Sequence, residues 1–485
     1  MNYDTILHGG NLIDGTGAAA RRTDIAIADD RIAAIGDLGA AHAGSRIDCT
    51  GRIVAPGFVD AHTHDDAALL DYPDMPMKTS QGVTSVVAGN CGVSLAPVDL
   101  RGPPPPPLNL LGGQSAYRFK RFADWRRAFD AAPSAVNAIG LVGHSALRVQ
   151  TMASLDRTAD AAEIAAMANL LEGAMADGAL GLSTGLAYAP ARMASTREII
   201  EIVRVAAAAG GIYATHLRDE GAFLEDSVEE ALTIGRAADL PVVLSHHKAA
   251  GRPYHGKTKN TLPRLDEARR EQRLALDMYP YIASSTVLTL ARVGDAARTL
   301  IAWSKPMPQA QGRDLAELAA EHGLGIEAMC DKLQPAGAIY FAMDEDDVRR
   351  VLAWPESMIG SDGLPHDTHP HPRLWGTFPR VLGHYARDLK LFPLEEAVRK
   401  MTSLPAKRFG LKDRGVLRAG AFADIAVFDA AAILDQASFA EPKRTASGIE
   451  RVFVNGSCVW RDGAPTGERP GRALALDRAA LDYAA

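Results

Sequence analysis

The sequence predicts an α/β protein: a (β/α)8 TIM-like barrel inserted in a small β-sandwich built from both chain ends. Two observations carry this. Between about Pro56 and Gly410 short apolar runs alternate with Ala-rich helical stretches such as Ala161–Asp177 and Thr196–Ala209, the pattern of a parallel sheet with crossover helices. At either end the texture changes to short strands separated by turn residues, as in Gly9-Gly10, Asn11 to Gly15 and Asp29-Asp30 near the start, and Asp424 to Asp429 and Val452 to Trp460 near the finish.

Eight runs qualify as parallel strands. They end at Phe58-Val59-Asp60, Val83–Val87, Ala138–Val142, Leu180–Ser183, Gly211–Thr215, Val242–Leu244, Leu274–Asp277 and Met358–Gly360. Two stretches interrupt the repeat. Pro103 to Pro107 are consecutive prolines and read as a rigid polyproline loop, since proline lacks the N–H that a helix or central strand requires. The stretch from about Ser284 to Asp344 is too long for a crossover and holds its own helical pattern around Asp314–Cys330, so it reads as an inserted subdomain over the barrel mouth. The resulting division is 1–55 for the first part of the sandwich, 56–412 for the barrel with its insertion at 284–344, and 413–485 for the second part.

Composition excludes several classes of function. Of the 485 residues 47% are hydrophobic, and the formal charge is −7 with no extended Lys/Arg run, so nothing suggests nucleic-acid binding. No uninterrupted apolar stretch of about 18 residues suggests a membrane span, and residues 1–17 do not read as a signal peptide. Cys49, Cys91, Cys330 and Cys458 are too scattered for a disulfide framework. A reducing cytoplasm is the natural compartment.

The chemistry gathers at strand ends. His62-Thr63-His64 follows the first strand, and residues i and i+2 of an extended chain face the same way, so both imidazoles can approach one metal ion. Such a pair alone is as easily a surface feature. His216 follows the fifth strand, His246 the sixth and Asp362 the eighth. In a barrel enzyme the C-terminal strand ends carry the active site, so these five residues converge on one mouth. Cys91, in Ala88-Gly89-Asn90-Cys91-Gly92, joins them from the second strand. A thiolate with imidazoles suits Zn²⁺, whereas the other three cysteines read as packing residues.

The arrangement resembles the amidohydrolase superfamily and, within it, the N-acyl-D-amino-acid deacylases, or D-aminoacylases. The stretches that carry the likeness are Ala55 to Asp65, Gly89 to Gly92, Gly143 to Arg148, Gly181 to Tyr188, Thr215 to Arg218, Ser245 to Lys248 and Ile359 to Gly363. Many superfamily members bridge two metals with a lysine on the fourth strand, but here that strand reads Leu180-Gly181-Leu182-Ser183-Thr184. The resemblance implies that Cys91, His216 and His246 hold a tightly bound zinc and that His62 and His64 line a second, weaker position.

It also implies an activity, the zinc-dependent hydrolysis of N-acyl-D-amino acids to a D-amino acid and a carboxylate. Asp362 then acts as general base and afterwards as general acid. Lys248 and Tyr188 are expected on the substrate carboxylate, with Tyr279, Arg292 and Ser285 as further candidates. His144 either orients substrate or bonds within its own loop. His247 is assigned a structural role, and His366, His369 and His371, interleaved with prolines, form a rigid loop near the mouth. Cyclic-amide hydrolysis, as in hydantoinases or dihydroorotases, is the alternative activity, against which Cys91 and the missing lysine argue. A non-catalytic barrel is the third reading, against which the full donor set argues. The expected partner is a small molecule. Side-chain preference and oligomeric state stay open.

Overall fold

The computed structural model describes residues 2–483. Eight parallel strands organise its central part: β1 (Phe58–Asp60), β2 (Val83–Ala88), β3 (Asn137–Gly140, resuming at Val142–Gly143), β4 (Gly181–Gly185), β5 (Ile212–His216), β6 (Val242–Leu244), β7 (Leu274–Met278) and β8 (Ser357–Ile359). They form two parallel sheets, β1 to β3 and the β3 extension to β8. Backbone hydrogen bonds join the sheets at both seams. Leu141 N–H donates to Ala88 C=O at 2.9 Å and Leu180 N–H to Gly140 C=O at 2.8 Å, while Ala61 N–H donates to Ile359 C=O at 3.1 Å. Every residue of these strands is buried, which explains why they read as continuous apolar runs rather than alternating ones.

The crossover helices follow from local chemistry. Asp160 caps Ala161–Ala176 by accepting from the N–H groups of Ala162 and Glu163, while the Glu163 side chain returns to the Asp160 N–H at 2.9 Å. This reciprocal box satisfies donors that the first helical turn leaves free. Thr196–Ala208 buries Ile199, Ile202, Val203 and Ala206, the spacing of one helical face.

Both chain ends enter a single nine-stranded sheet. Its join is the antiparallel pairing of Ile53–Pro56 with Ile425–Phe428. Leu7, Ile25, Cys49, Val54, Ile425 and Phe453 share its apolar cluster, against which Cys458 packs. Burial pushes the Cys49 thiol up to about 11, in keeping with a packing role. One turn expected from the sequence is absent: Asn2–Leu12 runs straight through Gly9-Gly10 as one strand. The pairing with Arg21–Ala28 shifts register there, and Gly9 takes a φ of +69°. The glycines make a β-bulge instead of a hairpin, because only the residue count and not the chain direction changes.

The stretch after β7 forms a three-stranded antiparallel sheet, Ala283–Val287, Arg298–Ser304 and Ala336–Phe341, around a separate apolar cluster containing Leu318, Met329 and Cys330. The single helical pattern expected near Asp314–Cys330 is two helices, Leu315–Glu321 and Ile326–Leu333, since Gly323 at φ +62° ends the first. Pro103 to Pro107 lack regular structure and lead into the buried turn Leu108–Leu111.

The last strand ends at Pro465, and the tail then leaves the terminal sheet. Leu474 N–H donates to Ala138 C=O at 2.7 Å. Leu474, Leu476, Leu481 and Tyr483 cover the cluster that Val59, Val87, Ile139, Ile212 and Met358 build between the strands. Deleting residues 471–485 therefore exposes that cluster. With each large apolar side chain worth about 1.5–3 kcal/mol when fully buried, the thermal midpoint should fall by about 5 °C or more. Calorimetry of the truncated chain checks this, and an unchanged midpoint would remove the tail from the stabilising contacts.

Candidate metal centre and cleft

The donors stand on the loops that leave the strands at their C-terminal ends. His62 and His64 follow β1, Cys91 follows β2, His216 closes β5, His246 follows β6 and Asp362 follows β8. Three of them hold left-handed backbone, Cys91 at φ +53°, His246 at +37° and Asp362 at +49°. For a non-glycine residue this conformation is costly and persists only where surroundings over-determine it. Around Cys91 the loop is tight. A Cβ on Gly89 would lie 2.1 Å from the Leu141 carbonyl oxygen, so a glycine is needed for the thiol to reach the centre.

The Cys91 Sγ lies 3.3 Å from His62 Nε2, 3.3 Å from His246 Nε2 and 3.7 Å from His216 Nδ1. Donor atoms of His62, Cys91, His246 and Asp362 all fall within 4.8 Å of one another, and those of His216, Glu220 and His246 form a second group. The expected division into two ligand sets is thus not sharp: Cys91 faces both His62 on one side and His216 and His246 on the other. Its strand neighbours β1, whereas β5 and β6 lie across the mouth, so the sulfur sits between them. His64 reaches the centre through Asp362, Nε2 to Oδ1 at 3.2 Å.

Electrostatics favours ionised donors. Burial opposes ionisation of Cys91, but the charges of His62 and His246 and hydrogen bonds from His216 and His246 bring its thiol well below the usual range. For Asp362 burial likewise pushes upward, and Arg373 first, then His246 and His62, hold the carboxyl well below the ordinary carboxylate range. A buried thiolate, imidazoles and a carboxylate form a donor set that suits zinc. The buried His216 Nε2 and His64 Nδ1 have no hydrogen-bond partner, which also fits a centre completed by a further group.

Three residues that the sequence did not single out complete the site. Arg373 places Nη1 2.8 Å from Asp362 Oδ2 and stacks 4.4 Å above the Tyr279 ring. Asp277 accepts from the His246 N–H at 2.9 Å and lies 3.2 Å from His62 Nδ1, fixing which ring nitrogen faces the centre. Glu220 lies 3.1 Å from His246 Nδ1 and 2.5 Å from Lys248 Nζ. Its position four residues beyond His216 was a legible signal, whereas nothing local marked Arg373, which returns from beyond the proline-rich loop.

The cleft is lined by His64, Cys91, His216, His246 and Asp362 together with Lys248, Tyr188, Tyr279, Arg292 and Ser285. It holds room for about 20 Å³ beside the donors and opens into a cavity of about 630 Å³ that shares Tyr188, Glu220, Ser284 and Arg292. Lys248 is already engaged with Glu220 and with His246 Nδ1 at 2.7 Å. Tyr188 donates or accepts with Thr286 at 3.1 Å, and the buried Ser285 Oγ has no partner. His144 does not line the cleft. Its Nε2 lies 3.0 Å from Glu198 Oε1, a carboxylate on the helix Thr196–Ala208 that is also bound by Arg148. His247 bonds Thr261 at 2.8 Å. In the proline-rich loop His369 bonds the Phe439 carbonyl at 2.8 Å and His371 meets the Tyr281 and Phe439 rings edge-on.

Comparison with known proteins identifies the family. An amidohydrolase family model matches residues 46–332 and 288–460. D-aminoacylase of Alcaligenes xylosoxydans xylosoxydans is 57% identical over 98% of this chain and 98% of its own. N-acyl-D-aspartate deacylase of the same organism is 51% identical over 97% of this chain and 95% of its own. A solved D-aminoacylase with a binuclear metal centre superposes with a TM-score of 0.95 at 54% identity, covering 98% of this chain and 100% of that one. N-acyl-D-glutamate deacylase from Bordetella bronchiseptica, solved with zinc and a phosphonate mimic of the tetrahedral intermediate, gives 0.95 at 45% identity over 98% and 100%. D-hydantoinase, at 0.60 and 15% identity over 98% and 99%, shares the fold alone. This chain belongs to the amidohydrolase family, in its N-acyl-D-amino-acid deacylase branch.

Proposed function

We propose that this protein hydrolyses N-acyl-D-amino acids to a D-amino acid and a carboxylate. The observation that carries the reading is the placement of Asp362, whose Oδ2 is occupied by Arg373 while Oδ1 faces His62 at 3.5 Å and His64 at 3.2 Å inside the thiolate–imidazole centre. One oxygen is anchored on Arg373 and the other faces the imidazoles, where it can exchange a proton.

Cys91, His216 and His246 would hold a tight zinc and His62 and His64 a weaker second position, with the Cys91 sulfur adjoining both. Bound there, zinc supplies Lewis acidity towards the amide carbonyl and lowers the pKa of water. The remaining work falls to the chain. Asp362 takes a proton from the attacking water as its oxygen bonds to the carbonyl carbon, then delivers that proton to the amide nitrogen as the C–N bond breaks. Arg373 keeps the carboxylate ionised and aimed. Arg292, which lines the cleft and forms no direct ion pair among the described residues, is the cation best able to receive an α-carboxylate, with the Tyr188, Tyr279 and Ser285 hydroxyls as neutral donors. Lys248 contributes with its charge partly offset by Glu220.

The closed sequence of parallel pairings and seam bonds supports a (β/α)8 barrel spanning 56–412 and carrying an insertion at 284–344; in place of the expected β-sandwich of 1–55 and 413–485, the terminal strands lie in one nine-stranded sheet and the tail beyond Pro465 packs on the barrel. The four unpaired cysteines support a reducing, cytoplasmic location. β4 carries no lysine, which disfavours the cyclic-amide alternative.

Zinc-supplemented protein assayed on paired N-acetyl-D- and L-leucine and -aspartate should favour a D-enantiomer by at least about a hundredfold in kcat/KM, and absence of turnover with every D-substrate sinks the proposal. Asp362→Asn should lower kcat by about 10²–10⁴-fold, the contribution typical of a general acid–base group. Cys91→Ala should lose zinc on dialysis, read by elemental analysis, so parent-level zinc content in that variant would take Cys91 out of the centre.

A further inference from the structure

Beneath the cleft lies a buried charge cluster that the reaction does not use. Lys78, on the short helix Pro76–Thr79, is wholly buried. Its ammonium donates to Asp60 Oδ2 at 2.7 Å and to Ser361 Oγ at 2.9 Å, and it lies 3.2 Å from Asp65 Oδ2. The positions of these partners are the informative point. Asp60 precedes His62 by two residues, Asp65 directly follows His64, and Ser361 directly precedes Asp362. A single ammonium therefore grips the chain on both sides of the histidine pair and at the approach to the general base.

The surrounding bonds tighten the same seam. Asp60 Oδ1 accepts from the Ser361 N–H at 2.8 Å and from the His62 N–H at 3.3 Å, Asp362 N–H donates to His62 C=O at 2.8 Å, and Ser361 Oγ accepts from the Gly363 N–H at 3.3 Å. Asp362 sits in left-handed backbone at the centre of this net. A buried cluster of one lysine and two carboxylates is a poor choice for stability alone, because desolvation offsets much of the attraction and apolar replacements often serve as well. What it supplies is geometry fixed in three places.

We propose that Lys78 is a positioning residue for the reaction, setting the distance and orientation of Asp362 relative to His62 and His64 through Asp60, Asp65 and Ser361. This rests on the reading of Asp362 as general base. It touches neither substrate nor reacting atoms, so its removal acts on kcat rather than KM.

The test compares zinc-loaded full-length Ser361→Ala, Lys78→Met and the double variant. Ser361→Ala removes the hydroxyl that accepts from the Lys78 ammonium and from the Gly363 N–H and should cut kcat by about two- to tenfold with KM within about twofold and a thermal midpoint near that of the parent. Lys78→Met should cut kcat by about a hundredfold, the scale of an ångström-level misplacement, and the double variant should lose little more than Lys78→Met alone. If Lys78→Met does not fold, Ser361→Ala decides. Parent-like kcat in Ser361→Ala, or losses in the two single variants that multiply independently, overturns the proposal. A crystal structure of Ser361→Ala separates this idea from the assigned activity. Movement of Asp362 away from His64 supports positioning even if the parent hydrolyses none of the substrates offered, and an unmoved Asp362 overturns it.

Discussion

The hydrogen bond from the Asp362 N–H to the His62 carbonyl, 2.8 Å long, is the contact on which the rest of the structure turns. It joins the chain just beyond β8 to the chain just beyond β1, segments separated by three hundred residues. Without it and the Ala61 N–H to Ile359 C=O bond beside it, the carboxylate and the first pair of imidazoles would belong to opposite edges of an open sheet. With it they become neighbours, and Cys91, His216 and His246, carried on strands between those edges, are brought round to face them. The left-handed backbone at Asp362 is a local cost of this closure, sustained by packing and polar contacts on every side.

Around that seam the protein concentrates charge in a water-poor interior. Three buried ions there are met by partners of opposite sign: Asp362 by Arg373, Lys248 by Glu220, Lys78 by Asp60. Such pairing is the condition under which buried charges are tolerated. It also assigns roles. Lys78 and Asp60, matched to each other, hold geometry, whereas Arg292 forms no ion pair among the described residues and the buried Ser285 hydroxyl no hydrogen bond.

The candidate metal donors were legible because each stands at the end of an apolar strand, and strand ends in a repeated βα chain share one mouth. Cys91 was readable for the same reason. Arg373 and Asp277 were not: one enters from a loop whose path is set by tertiary packing, the other sits inside a strand among apolar neighbours. Glu220 was visible only as a spacing from His216. His144 illustrates the opposite case, a polar residue in a matching stretch that pairs with Glu198 and does not line the cleft. Gly9-Gly10 shows how a pair of glycines reads equally as turn or bulge until the partner strand is known.

The join between Ile53–Pro56 and Ile425–Phe428 bears on how the protein comes into being. During synthesis the first of these strands leaves the ribosome some 370 residues before its partner exists, and the segment that caps the strand bottoms, around Leu474 to Tyr483, emerges later still. The amino-terminal sheet must therefore wait with one edge open while the whole catalytic unit is made. Long-range closure of this kind is slow and leaves strand edges available to wrong partners. Completion of this sheet therefore waits on the two ends of one polypeptide finding each other.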